Sequence, residues 1–151
     1  MKKITPFLWF DHQAEEAAKF YVSVFPNSEI SHVMRYDEAS AKASGQPKDS
    51  VLTVAFKLNG EEFTALNGGP LFTFSEAISF VVNCENQKEI DMLWEKLSAD
   101  PKAEQCGWLK DKYGVSWQIV PENMDELISR PAAMQAMLHM KKIDIKALEE
   151  A

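Results

Sequence analysis

The sequence predicts an α+β fold made of two similar modules followed by a helical tail. Three observations carry that expectation: a strand-then-helix pattern that occurs twice, a hairpin in each half, and a change of pattern after Pro121. A shift of about 74 residues lays 4–10 on 78–84 and 14–24 on 88–98. The hairpin over 52–66 matches 106–120 at an offset of about 54, because the middle of the second half is shorter.

Taken in order, Ile4–Phe10 is a short apolar run that Asp11-His12-Gln13 interrupts, and it predicts a strand. From Ala14 to Val24 the residues Ala17, Phe20, Tyr21 and Val24 fall on one helical face and Glu15, Glu16 and Lys19 on the other, with Pro26-Asn27-Ser28 as the stop. Glu29–Tyr36 alternates loosely as a second strand. The polar stretch Asp37–Ser50, with Gly45 and Pro47, predicts a long mobile loop. Val51–Leu58 alternates cleanly, Asn59-Gly60 is a strong hairpin signal, and Glu61–Asn67 returns as its partner.

Gly68-Gly69-Pro70 ends this unit, and Leu71–Glu76 crosses to a second apolar run, Ala77–Cys84. The spacing of Ile90, Leu93, Trp94 and Leu97 predicts a helix over 87–98. A second hairpin follows, Cys106–Val120, turning at Tyr113-Gly114. Beyond Pro121, Glu122–Ser129, Ala132–Met140 and Ile143–Ala151 read as helical, with Met134, Met137, Leu138 and Met140 as a pliable apolar stripe. That tail packs on its own domain, reaches out as a dimer arm, or covers a pocket as a lid.

Composition narrows the function. The 151 residues are 46% hydrophobic, enough for one well-filled domain. No apolar run approaches the length of a membrane-spanning helix, and the opening Met1–Pro6 lacks the pattern of a signal peptide, so a cytoplasmic protein is expected. Cys84 and Cys106 form no CxxC pair and suit a reducing compartment. A net charge of −7 repels nucleic acid and anionic membranes.

Several chemistries lack their residues. There is no GxSxG, GxxxxGK[ST] or GxGxxG motif, and the last absence also argues against the doubly wound fold of the common methyltransferases. His12, His32 and His139 are scattered at spacings that do not build a metal site. Cys106-Gly107-Trp108-Leu109-Lys110-Asp111 puts a thiol and an indole in one strand, where alternation sets Cys106 and Trp108 on the same face. With no local base to form a thiolate, a structural cysteine is the favoured reading. Of Trp108 and Trp117, one suits the core and the other a flat wall for a planar ligand. Ser116 and Gln118 point away from Trp117 and Ile119, toward the less apolar surface, where Gln118 bonds either across strands or to a ligand. Thr64 takes the place of Gln118 when the turns at Gly60 and Gly114 are superposed.

Together with the paired modules, three stretches resemble the PhnB-like group of the vicinal oxygen chelate superfamily across nearly the whole chain. They are Phe63-Thr64-Ala65-Leu66-Asn67-Gly68-Gly69-Pro70, Cys106-Gly107-Trp108-Leu109-Lys110-Asp111 and Gly114-Val115-Ser116-Trp117-Gln118-Ile119-Val120-Pro121. That superfamily includes glyoxalase I, bleomycin-resistance proteins and extradiol dioxygenases, and domains of this group carry a demethylubiquinone 3-methyltransferase label. The resemblance implies paired βαβββ modules whose curved sheets enclose a cavity, usually in a homodimer. Metal-dependent members place ligands at positions that fall here on Ile4, Thr64, Ala77 or Ile78, and Gln118, of which only Gln118 ligates well, so no metal is expected.

The expectation is therefore a single domain, 1–151, with modules 1–70 and 71–121 and a tail, 122–151. It binds a small, partly aromatic or apolar molecule without metal or cofactor, at a site drawn from Gln118, Ser116, Thr64, Trp108 and Cys106. Two other readings stand beside it. One is an enzyme, either a metal-dependent lyase, isomerase or dioxygenase or a methyltransferase. The other is a dimeric assembly module with a vestigial cavity.

Overall fold

The computed structural model describes residues 2–151, and it divides into two compact units, the first running to Thr73 and the second covering Phe74–Ala151. The first unit contains β1 (Phe7–Phe10), α1 (Ala14–Val24), β2 (Glu29–Arg35), α2 (Glu38–Ser44), β3 (Val51–Leu58) and β4 (Glu61–Asn67). Its sheet has the order β1-β4-β3-β2, with β1 parallel to β4 and the other pairs antiparallel.

Pairing in register fixes two faces, because residues opposite one another point to the same side. Leu8, Ala65 and Val54 form one row, and Phe63 and Phe56 belong to the same face. That face is buried under α1, where Tyr21 stacks on Phe56 with ring centroids 6.1 Å apart. The other face carries Phe7, Thr64, Ala55 and His32 in one row and Trp9, Leu66, Thr53 and Met34 in the next. The start of α1 is capped from a distance. Gln13 makes no side-chain cap, and Asn67 Oδ1 accepts from Ala14 N–H at 2.8 Å instead.

The hairpin expected at Asn59-Gly60 joins β3 to β4, with φ of 49° and 86° at the two turn residues, as a tight two-residue connection requires. The loop expected over Asp37–Ser50 is corrected in its first half, which folds as α2. Asp37 accepts from Ser40 N–H at 2.8 Å, the Ser40 hydroxyl accepts from Asp37 N–H at 3.0 Å, and Gly45 closes the helix at φ 78°. Local caps build this helix, and none of its residues is buried.

The second unit contains β5 (Ser79–Cys84), α3 (Gln87–Leu97), a single 3-10 turn (Pro101–Ala103), β6 (Trp108–Lys110) and β7 (Ser116–Pro121). Its sheet runs β5-β7-β6, again with the first strand parallel to the last. Where the first unit has β2, this one has the 3-10 turn and an isolated bridge between Gln105 and Trp108. Ile90, Leu93 and Leu97 of α3 are buried with Leu109, Trp117, Ile119 and Cys84 of the sheet. The two-module α+β fold is thus as the sequence predicts.

The tail forms α4 (Met124–Leu127), α5 (Pro131–Leu138) and α6 (Ile145–Glu150). The first is shorter than the expected 122–129. Ala133, Ile143 and Leu148 are fully buried at its centre, packed by Met124, Leu127, Ile128, Ala136, Met137 and Met140. Of the expected methionine stripe, Met134 and Leu138 remain exposed. The tail packs on its own unit, joined to it through Gln87 and through the backbone at Cys106 and Gly107.

Candidate functional site

The face of the second sheet opposite α3 carries polar groups in register. Lys110 and Ser79 flank Ser116, and Trp108 and Val81 flank Gln118. On the buried face, Trp117 packs against Phe80, ring centroids 5.5 Å apart, and donates from its indole to Asp111 Oδ2 at 2.9 Å. Trp117 is therefore the core tryptophan, and half-buried Trp108 is the one that offers a wall.

Asp111 organises the tip of this hairpin. Its Oδ1 accepts from Tyr113 N–H at 2.8 Å and from Val115 N–H at 3.1 Å, while Gly114 turns at φ 87°. A carboxylate that satisfies three donors is at home in the interior.

A groove of about 560 Å³ opens on the polar face. Ser116, Trp108, Leu109 and Lys110 line it from the hairpin, Glu76 from the approach to β5, and Asp100, Lys102, Ala103, Gln105 and Cys106 from the segment before β6. Lys110 Nζ pairs with Glu76 at 2.6 Å, and that ammonium holds the Glu76 carboxyl below its usual range. At the sheet, Ser116 is 2% exposed and its Oγ has no hydrogen-bond partner among the described residues. A buried hydroxyl without a partner is costly, and a site that supplies one from a ligand or an ordered water explains why it is there.

The expected site residues separate into three groups. Ser116, Trp108 and Cys106 come together around the groove. Gln118 lies one step along the same face and donates from Nε2 to Ser79 Oγ at 2.9 Å. Thr64 belongs to the first unit's sheet, half-buried, where it pairs with Phe7 as Gln118 pairs with Val81. Thr64 and Gln118 are thus equivalent by position within their modules.

One expectation about Cys106 is corrected. Strand alternation does not place it beside Trp108, because β6 begins only at Trp108 and Cys106 sits in a turn. Gln105 and Trp108 exchange both backbone hydrogen bonds at 3.1 and 2.8 Å, and Cys106 and Gly107 between them have φ of 51° and 88°. This is the left-handed two-residue turn that Asn59-Gly60 also makes, with a cysteine where asparagine is the usual choice. Cys84, by contrast, is buried beneath α3, and that burial pushes its thiol up to about 12. Glu76, Asp100 and Lys102 were not foreseen, and no local pattern marks them. Lys110 was legible only as the residue two past Trp108 on one strand.

The fold has known relatives. Protein PA1353 of Pseudomonas aeruginosa matches with a TM-score of 0.58 at 17% identity, over 80% of this chain and 98% of its own. A glyoxylase/bleomycin resistance protein/dioxygenase domain from Frankia sp. EAN1pec matches with a TM-score of 0.50 at 14% identity, over 80% and 93%. These likenesses define the class as the glyoxalase/bleomycin-resistance fold.

Within that class the family is specific. Residues 2–120 match the model of the 3-demethylubiquinone-9 3-methyltransferase family, and the chain belongs to it. A PhnB protein from Bacillus cereus, described as a candidate 3-demethylubiquinone-9 3-methyltransferase, is 40% identical over 79% of this chain and 99% of its own, with a TM-score of 0.64. No curated protein matches.

Proposed function

We propose that this PhnB-like protein binds a small organic molecule in the groove over the second sheet, with Ser116 as its buried polar anchor. The Ser116 hydroxyl, without a partner among the described residues, carries the reading: it lines the groove and can donate to or accept from a ligand. Trp108 supplies a flat apolar wall, and the Lys110–Glu76 pair supplies a charged edge of net zero charge. An open groove also favours binding over a module whose cavity has become vestigial. Gln118, one step along the face, is a contact for a larger ligand, and Thr64 takes the corresponding place on the first unit's own sheet.

We read the site as metal-independent. Of the positions that the resemblance gives to ligands, Thr64 and Gln118 carry a hydroxyl and an amide, while Ile4, before β1, and Ala77 and Ile78, before β5, carry no donor side chain; the strand partners of Thr64 and Gln118 are Phe7 and Val81. Among the described residues no three His, Cys, Asp or Glu side chains come together as a metal site. Such a neutral set is a poor match for a divalent ion.

Titration with a library of small planar carbonyl and carboxyl compounds, followed by amide and indole NMR shifts, tests the binding site. The reading expects shifts centred on Ser116, Lys110 and the Trp108 indole, and shifts confined to other surfaces contradict it. The family's name favours a second reading, transfer of a methyl group. Calorimetric titration with S-adenosylmethionine discriminates, since saturable binding supports methyl transfer.

Homodimerisation belongs to the same proposal. The helix-free faces leave Phe7 62%, Met34 49% and Val81 50% exposed, apolar area that suits cover by a second copy. A solution mass of one chain would argue against it.

A further inference from the structure

The family model ends at residue 120, and the Bacillus cereus structure, matched over 99% of its own length, accounts for 79% of this chain. The helical tail from 122 onward is therefore additional to the shared fold, and it makes contacts with one wall of the groove. Met140 C=O accepts from Cys106 N–H and Lys141 C=O accepts from Gly107 N–H, both at 2.8 Å. Gln105 Nε2 donates to Leu138 C=O at 2.9 Å and lies 3.3 Å from Cys106 Sγ. A Cβ built on Gly107 would meet Ile143 Cγ1 at 3.1 Å, so the turn and the tail core pack without room to spare.

We infer that this C-terminal extension is a buttress that sets the Gln105–Trp108 wall of the groove, with Ile143 and Gln105 as positioning residues. The turn holds Cys106 at φ 51°, a conformation that a residue other than glycine keeps when its surroundings over-determine it. The tail supplies that determination through two backbone acceptors on consecutive residues and one side-chain bond. It is anchored in turn on α3, where Gln87 donates to Ile143 C=O at 2.9 Å and accepts from Ile145 N–H at 2.8 Å, and Lys142 pairs with Asp91 at 2.8 Å. The extension thus couples the N-terminal turn of α3, which does not line the groove, to the placement of Cys106 and Trp108. Its consequence for affinity rests on the groove being the binding site, but the coupling itself does not.

The test compares the full chain with Ile143→Ala, Ile143→Val and Gln87→Ala. Hydrogen exchange at the Cys106 and Gly107 amides and the rate of Cys106 modification by an aromatic disulfide are the readouts. In Ile143→Ala and Gln87→Ala both turn amides are expected to exchange at least tenfold faster and the thiol to react severalfold faster, with protection in β3 and β5 unchanged; Ile143→Val stays near the parent. Gln87 lines neither the groove nor the tail core, so it remains informative if Ile143→Ala does not fold. Unchanged turn amides and thiol rate in Gln87→Ala, or protection lost evenly through the second unit, would overturn the inference. Because these readouts need no ligand, their failure is distinct from a failure of the Ser116 binding site.

Discussion

Trp117 and Asp111 are joined through the indole N–H and Oδ2 at 2.9 Å, with both side chains buried at 3% exposure. Asp111 also receives the Tyr113 and Val115 amides. Replacing it by alanine leaves these donors without their acceptor and is expected to cost about 3 kcal/mol, while Asp111→Asn keeps one acceptor oxygen and costs less. Urea unfolding of the two variants checks the order, and equal, small losses would show that the tip is held by other contacts.

Ser116→Ala removes a buried hydroxyl that has no partner among the described residues. Its stability is expected to stay level or rise by about 1 kcal/mol, while ligand binding is lost. A destabilised variant would mean that the hydroxyl is satisfied within the protein and is not kept for a ligand.

Gln118→Ala forfeits one part-buried bond to Ser79. Stability is expected to remain within about 1 kcal/mol of the parent, with weakened binding of any ligand that extends along the sheet. A much larger loss in thermal unfolding would mark Gln118 as part of a structural network.

The two thiols are expected to react in different regimes. Cys84, fully buried with its thiol pushed up to about 12, stays protonated, and Cys106 is half-buried at the groove. One thiol should react with an aromatic disulfide in the native protein and the second only after denaturation. The raised value also has a sign for stability: the folded state holds that proton more tightly, so the contribution is intact below the ordinary value of 9.0 and declines as pH rises toward 12.

The acid limb has the opposite sign. Glu76 is held low by Lys110, Asp37 by the Ser40 amide and hydroxyl, and Asp91 by Lys142 and Gln87. Each folded carboxyl binds its proton less tightly than in the unfolded chain, so their stabilisation is present above the ordinary values of 4.5 and 3.8 and is lost as pH falls below them. Glu76→Gln is expected to flatten the pH dependence of the melting temperature below pH 4.5, and an unchanged slope would rule the Lys110 pair out as a contributor.

Most of the fold was legible because burial imposes a period. Tyr21 and Ile90 lie on buried faces, and the helices that carry them match their expected bounds to within a residue. In α2 nothing is buried, so no period marks it, and its Asp37–Ser40 and Gly45 caps were the available signal. Of the groove, the alternating residues Ser116 and Trp108 could be read from one strand each. Glu76 and Lys102 could not, because Glu76 reaches the groove from before β5 and Lys102 from a 3-10 turn that no periodic pattern marks. Cys106 was misread because a Cys-Gly pair in a left-handed turn resembles the start of a strand.

The most direct measurement is native mass spectrometry of the protein and its Ser116→Ala variant, both purified without chelators. The expected result is a dimer in which the parent retains an organic mass that the variant lacks, with no metal on either. One tightly held divalent ion per subunit, or the same organic mass on both proteins, would contradict it.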